Sequence, residues 1–276
     1  MVCCVNYGVI GVTVLIDAHT HLDMYGDRLD EALSEIQTRR ILSLTNSLDL
    51  NSYNRNVEIS RQCPFIIPSF GIHPWSAPDN VDNLDDFTEP VARTPMIGEI
   101  GLDYHWVENK EDYPAQHKVF EFFLAAAKEH DKAVNLHTKG AEKEILDLLR
   151  TYDLPRVIVH WYSGPLDIFE KLIDRGCFFT FGCEVSHSEE IRELARRIPL
   201  ELLLTETDNP GGAQWLSGEI GMPSLVTDVL RELAELRNRR FEDLDRIVEG
   251  NLLRLVQSDP WLPDAYTQAM EGTLGA

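Results

Sequence analysis

Two histidines one residue apart, His19 and His21, stand at the end of an apolar run over residues 12–18. In an extended segment, residues two apart project to the same side, so both imidazoles face one point. Neutral imidazole nitrogen suits a borderline divalent cation such as zinc or manganese. Alone, the pair is as readily two core histidines as two ligands. Other apolar runs end in the same kind of group: Gly71-Ile-His73-Pro74, Gly98-Glu99-Ile-Gly101-Leu-Asp103, His137, His160 and Glu206-Thr-Asp208. A carboxylate such as Glu99 inside an apolar strand is costly to bury unless a positive charge compensates it. A bound metal does that, and Glu99, His137, His160 and Asp208 at equivalent depth turn the histidine pair toward ligation.

A scaffold must bring these positions together. Eight runs read as strands, over 12–18, 41–45, 65–71, 96–101, 133–137, 157–160, 177–181 and 202–206, and amphipathic segments alternate with them. Over 116–130, Val119, Phe120, Phe123, Leu124 and Ala127 form one apolar stripe. A further helix follows Ser163-Gly164-Pro165, with Ser163 as its cap and Pro165 in its first turn. Two more cover 224–237 and 242–256. The alternation predicts parallel strands with right-handed crossovers, and near-continuous apolar runs such as Val157-Ile158-Val159 fit a sheet covered on both faces. The expected fold class is α/β, a TIM (β/α)8-type barrel. An open doubly wound sheet competes, but no Gly-rich loop follows the first strand. No linker or repeat interrupts the chain, so one barrel domain is expected over 1–276, with an N-terminal extension at 1–11 and a C-terminal tail at 258–276. Barrel enzymes work at the C-terminal ends of their strands, where the histidines and carboxylates fall.

The charge balance narrows the partners. With 25 Lys+Arg against 46 Asp+Glu the formal charge is −21, which repels a polyanion at long range and argues against a protein that coats nucleic acid. A localised cationic pocket made by metal ions is compatible with it. Five cysteines with no CxxC pair fit a reducing compartment, and a cytoplasmic location is expected. Residues 2–16 are apolar, but no basic residue precedes them and no small-residue cleavage pattern follows. No run approaches the roughly 20 apolar residues of a membrane span. His105 and Trp106 read as a surface loop, His117, His130 and His187 as ordinary histidines, and Arg192, Arg196 and Arg197 as a solvated helix face. Cys3-Cys4 matches no metal or redox motif.

The ordered set Ile16-Asp-Ala-His-Thr-His-Leu-Asp23, Gly71-Ile-His-Pro74, Ile97-Gly-Glu-Ile-Gly-Leu-Asp-Tyr104, His137-x-Lys139, His160-x-x-Ser163-Gly164 and Glu206-Thr-Asp-x-Pro210 resembles the TatD family of amidohydrolase-like barrels. The resemblance runs from about Leu15 to Val256 and includes the late Asn251 stretch. It implies two divalent metal ions (zinc, magnesium or manganese), one held by His19, His21, Glu99 and Asp208, the other by His137, His160 and the bridging Glu99. It implies hydrolysis by a metal-activated water, with Asp208 taking and returning the proton and Glu99 and His73 completing the catalytic set. His73 reads either as a core histidine or as a contact to a substrate phosphate. Asp103 is expected to orient a ligand histidine, and Asp17 to act similarly or as a helix cap.

Departures from the family pattern cluster at the predicted mouth. Trp75 replaces a usual second histidine, and Lys139 replaces a usual arginine, keeping the charge but losing the planar fork. Trp161-Tyr162 replaces a small Cys-Phe pair, and Asn209-Pro-Gly-Gly-Ala-Gln-Trp215 replaces an aromatic-Leu-x-Pro loop. Trp75 and Trp161, with His73 and Lys139, are the expected substrate contacts, the two indoles suiting a stacked base. The leading expectation is a phosphodiesterase or 3′-end-directed deoxyribonuclease acting on DNA ends or nucleotides. An amidohydrolase-type C–N or ester hydrolase is the alternative. Variant family members occur in antiviral defence gene clusters, so a subunit with partner proteins in a defence or repair complex is a third expectation.

Overall fold

The structure, a computed structural model, describes residues 14–271. Eight strands form in chain order: β1 Leu15–Thr20, β2 Ile41–Thr45, β3 Ile66–Pro68, β4 Ile97–Asp103, β5 Val134–Lys139, β6 Val157–Val159, β7 Phe178–Phe181 and β8 Leu203–Thr205. Neighbours pair in parallel, β1 to β3 in one run and β4 to β8 in the other. Two seams join the runs into a ring. Phe70 bridges to Ile97, with the Phe70 amide on Met96 O (3.2 Å) and the Gly98 amide on Phe70 O (3.0 Å). Between β8 and β1, the Asp208 amide donates to His19 O (2.9 Å), the His21 amide to Asn209 O (2.8 Å) and the Thr205 hydroxyl to Ile16 O (2.5 Å). The expected α/β TIM-type barrel is therefore present and the open sheet is not.

Strand limits differ from expectation for local reasons. β1 and β4 run two residues further, because each continues pairing up to the site. β3 shrinks: Phe65 takes a left-handed φ of 66° and Pro68 has no amide to donate. Residues 12 and 13 of the first expected strand and the whole expected extension, Cys3-Cys4 included, lie outside the described residues.

Helices cover the ring as their patterns require. Helix Tyr113–His130 starts earlier than its stripe suggests, with Pro114 in its first turn, and buries Val119, Phe120, Phe123, Leu124 and Ala127. Ser163 does not cap the next helix. Pro165 holds the cap position of Leu166–Asp174 without a side-chain bond, and the Ser163 hydroxyl takes the Lys139 ammonium instead. Arg196 and Arg197 pair with Glu189 and Glu193 on their own helix. Helix Phe241–Ser258 is tied to β8 by Asn251, whose amide donates to Leu200 O and Leu203 O, both at 2.7 Å. Residues within the expected C-terminal tail form helix Leu262–Glu271, with Leu262, Tyr266 and Ala269 buried. Among the described residues no helix is long and apolar enough to cross a membrane.

The end of the barrel away from the site is held by two buried charges. Lys132 donates to Val91 O (2.6 Å), Ala92 O (3.0 Å) and Thr94 O (2.6 Å). Asp259 accepts the Ala133 amide and Arg156 Nε on one oxygen, and the Trp261 and Leu262 amides on the other. Removing one member of such a set strands its partners without water. Asp259→Ala should therefore lower the unfolding free energy by about 3 kcal/mol in urea titrations and leave the metal content unchanged; a loss below ~1 kcal/mol would show that solvent reaches Arg156 and these amides.

Candidate metal centre

Glu99 sits in the middle of β4, 1% exposed, with imidazoles on both sides. The bend of β4 that aims it inward needs close approach to β5: a Cβ on Gly101, whose φ is +154°, would lie 2.0 Å from His137 O. Glu99 Oε2 faces His19 Nε2 (3.3 Å) and His21 Nε2 (3.4 Å), while Oε1 faces His137 Nδ1 and His160 Nε2, both at 2.9 Å. Asp208, at the end of β8, reaches the first group, with Oδ1 3.2 Å from His21 Nε2 and 3.7 Å from His19 Nε2. His19 and His21 nitrogens stand 3.2 Å apart, and those of His137 and His160 3.3 Å apart.

The far nitrogens decide what these contacts are. Asn135 donates its amide to Ala18 O (3.0 Å), which leaves its oxygen to accept from His19 Nδ1 (3.1 Å). His21 Nδ1 donates to the carbonyl of Asn46 (3.0 Å), and His137 Nε2 to Asp103 Oδ2 (3.0 Å). In the neutral ring one nitrogen carries the proton. When the rings are neutral, His19 Nε2, His21 Nε2 and His137 Nδ1 are therefore lone pairs aimed at carboxylate oxygens and at one another. A cation satisfies such a convergence, and mixed imidazole and carboxylate donors suit a divalent metal. Asp103 is fixed in turn by the His105 and Trp106 amides (2.9 and 2.7 Å) and Trp75 Nε1 (2.7 Å).

His73 is of a different kind. Its Nδ1 accepts the Trp75 amide (3.2 Å), so its proton is on Nε2, which points at Glu99 Oε1 (3.4 Å) and His137 Nδ1 (3.3 Å). It lies against the second group as a donor rather than as a lone pair. Burial pushes it down to about 4, which keeps it neutral.

Without metal, the charges settle as follows. Burial opposes an ionised Glu99, but His73, His160 and His19 around it hold its carboxyl well below the usual range. Asp208 is likewise lowered against burial, chiefly by His21. Burial disfavours a charged His21, yet Asp208 and Glu99 push it up to about 9. His137 is raised against burial by Asp103 and Glu99. A proton thus occupies the first group where a cation would sit.

Other expected residues fall into place unevenly. Asp17 is buried and accepts the Thr207 amide (2.9 Å) and hydroxyl (2.7 Å), orienting the strand end that carries Asp208; burial pushes it up to about 7. Lys139 is turned aside, its ammonium on Trp161 O (2.5 Å) and Ser163 Oγ (3.0 Å). Trp75 packs edge-on to His73 at 4.7 Å. Trp161 follows His160 directly and adopts a φ of +38°. Two buried acids outside the expected set, Glu206 and Glu184, also lie at this end of the barrel. Glu206 accepts the Trp161 amide (3.0 Å) and Thr180 hydroxyl (2.7 Å) and lies 3.4 Å from His160 Nδ1. Glu184 is buried with one oxygen unpartnered, and burial pushes it up to about 8. Glu206 was legible, since Glu206-x-Asp208 repeats the spacing of His19-x-His21; Glu184, in a short turn after β7, was not.

Comparison with known proteins identifies the family. The family described as TatD related DNase matches residues 16–257. The chain is 27% identical over 253 residues to the uncharacterized metal-dependent hydrolase YabD of Bacillus subtilis, covering 88% of this chain and 98% of that protein. It is 27% identical over 257 residues to the putative deoxyribonuclease tatdn3 of Danio rerio, covering 87% and 97%. The crystal structure of YJJV, a TatD homologue from Escherichia coli, superposes with a TM-score of 0.78 at 23% identity, covering 87% of this chain and 97% of that one. The chain belongs to the TatD family of metal-dependent hydrolases.

Proposed function

We propose that the centre holds two divalent cations and that the protein hydrolyses phosphodiester bonds in nucleotides or at DNA ends. Glu99 carries the reading, because its two oxygens face two separate groups of imidazole nitrogens. His19, His21, Glu99 and Asp208 would hold one ion, and Glu99, His137 and His160 the other. Bound there, zinc, manganese or magnesium would acidify water from a pKa of 15.7 toward about 7 and draw charge from the centre attacked.

The remaining work falls to side chains. Asp208 is ionised, and with 21% of its side chain exposed against 2% for Glu99 it is the carboxylate that substrate and water can reach. It takes the proton of the attacking water and returns it to the leaving oxygen. His73 keeps its Nε2 proton and donates a hydrogen bond to a phosphoryl oxygen. Asp103 and Asn135 hold His137 and His19 in the tautomer that presents a lone pair. Trp75 and Trp161 line the entry, and Lys139 adds positive charge beside it. The zebrafish relative's name supports a nucleic-acid substrate, and the charge of −21 favours short or terminal substrates over long polyanions.

Oligonucleotides, amides and lactones assayed with each metal separate this chemistry from C–N or ester hydrolysis; turnover of amides alone would sink it. Glu99→Gln should leave less than one metal per chain by elemental analysis and lower activity by roughly a thousandfold, the several kcal/mol that metal polarisation supplies. Retention of two ions by that variant would remove the bridging role. Because His21 holds a proton up to about 9, metal must displace it at neutral pH. Apparent zinc affinity should rise with pH until about 9 and then level, and calorimetry at pH ~7.5 in two buffers should show about one proton released with the first ion. Uptake without proton release would mean that this nitrogen is already free.

A further inference from the structure

Four of the five tryptophans stand around the C-terminal end of the barrel, where there is no core for them to fill. Trp75, Trp106 and Trp215 are 56, 47 and 63% exposed, and Trp161 is half-buried. The fifth, Trp261, lies elsewhere, over the Lys132 ammonium. Large apolar rings gathered in water mark a recognition surface. The rings meet edge to face: Trp215 lies 5.7 Å from Trp106 at 80° and 6.0 Å from Trp161 at 72°. In an edge-to-face pair the ring that presents its edge keeps both faces out of that contact, and Trp106 and Trp215 are each about half exposed or more.

Each of the four is placed by its surroundings near the metal centre, Trp75 through its ring and Trp106 and Trp161 through their backbone amides. Trp75 Nε1 and the Trp106 amide donate to the two oxygens of Asp103, which orients His137. The Trp161 amide donates to Glu206 beside His160. Trp215 is carried by helix Gly211–Ser217, which starts just after Asp208. Gly212 allows that helix to lie close, since a Cβ there would fall 2.9 Å from the Trp161 ring and 3.1 Å from Asp208 Cβ. The aromatic wall is thus fixed in register with the reacting centre.

Resting on the phosphodiester reading above, we propose that Trp106, Trp161 and Trp215, together with Trp75, form a stacking subsite for the single base next to the bond being cut. The ligand at this end is planar and uncharged. The Lys139 ammonium already stands 5.7 Å from the Trp161 ring centre, which repels a second cation. Stacking on indole accepts every base. With a surface charge that repels a long backbone, recognition concentrates on one base beside the metals.

The test uses full-length protein carrying Trp261→Phe, so that indole fluorescence reports the wall alone. Thymidine should quench it without added metal, whereas deoxyribose and choline should not. Silence with thymidine, or an equal response to choline, overturns the proposal. With metal, kcat/KM for thymidylyl-thymidine should exceed that for its analogue lacking one base by about tenfold. Trp106→Ala/Trp215→Ala should bring that ratio near one, and Trp106→Phe/Trp215→Phe should keep most of it, with unchanged melting in both. A ratio unmoved by the alanines removes the stacking subsite and leaves the phosphodiester reading standing. Quenching by thymidine with no dinucleotide cleaved keeps the subsite and removes that reading.

Discussion

Glu99 is a charged group shut away from water, and it is tolerable only because imidazoles crowd both of its oxygens. That arrangement in turn requires the ring hydrogens to point outward. Three acceptors, Asn135, the Asn46 carbonyl and Asp103, draw them away from the centre. If any of the three released its histidine, the ring could turn a hydrogen toward Glu99 and a lone pair would be lost. The outer layer is therefore as decisive as the residues that face the cavity. It also explains why β1, β2, β4 and β5 must keep their register: Asn46 just after β2, Asp103 on β4 and Asn135 on β5 steady histidines carried by other strands or their ends.

His73 marks the boundary of this logic. It touches the same carboxylate at a similar distance, yet the Trp75 amide has claimed its other nitrogen, so it offers a hydrogen where its neighbours offer lone pairs. Distance alone would group it with the proposed ligands. Proton placement separates a group suited to a cation from one suited to an anion.

Much of this was legible in the sequence, and unevenly so. The alternation of apolar runs with amphipathic segments gave the barrel, and the clustering of His19, His21, Glu99, His137, His160 and Asp208 at strand ends gave the neighbourhood of the site. Local chemistry of that kind is written in spacing. What spacing does not carry is which backbone carbonyl meets a ring nitrogen across the barrel, as Asn46 meets His21. Nor does it show that Lys139 would be diverted to Trp161 O and Ser163, or that Trp106 and Trp215, more than a hundred residues apart, would touch. Ser163 is no helix cap because the helix begins only at Leu166, with Pro165 at the cap position, and the Ser163 hydroxyl takes the Lys139 ammonium instead.

The seam between β8 and β1 gives the centre a history as well as a shape. Glu99 and His137 lie on β4 and β5 and His160 just after β6, so these three come from adjacent strands of the ring. The other half needs Asp208, whose amide binds His19 O across the closing seam, and that residue leaves the ribosome only after the stretch from Trp161 onward. During synthesis His19 and His21 have Glu99 within the chain already made, but not yet Asp208. The centre is therefore complete only once the seam between β8 and β1 has closed.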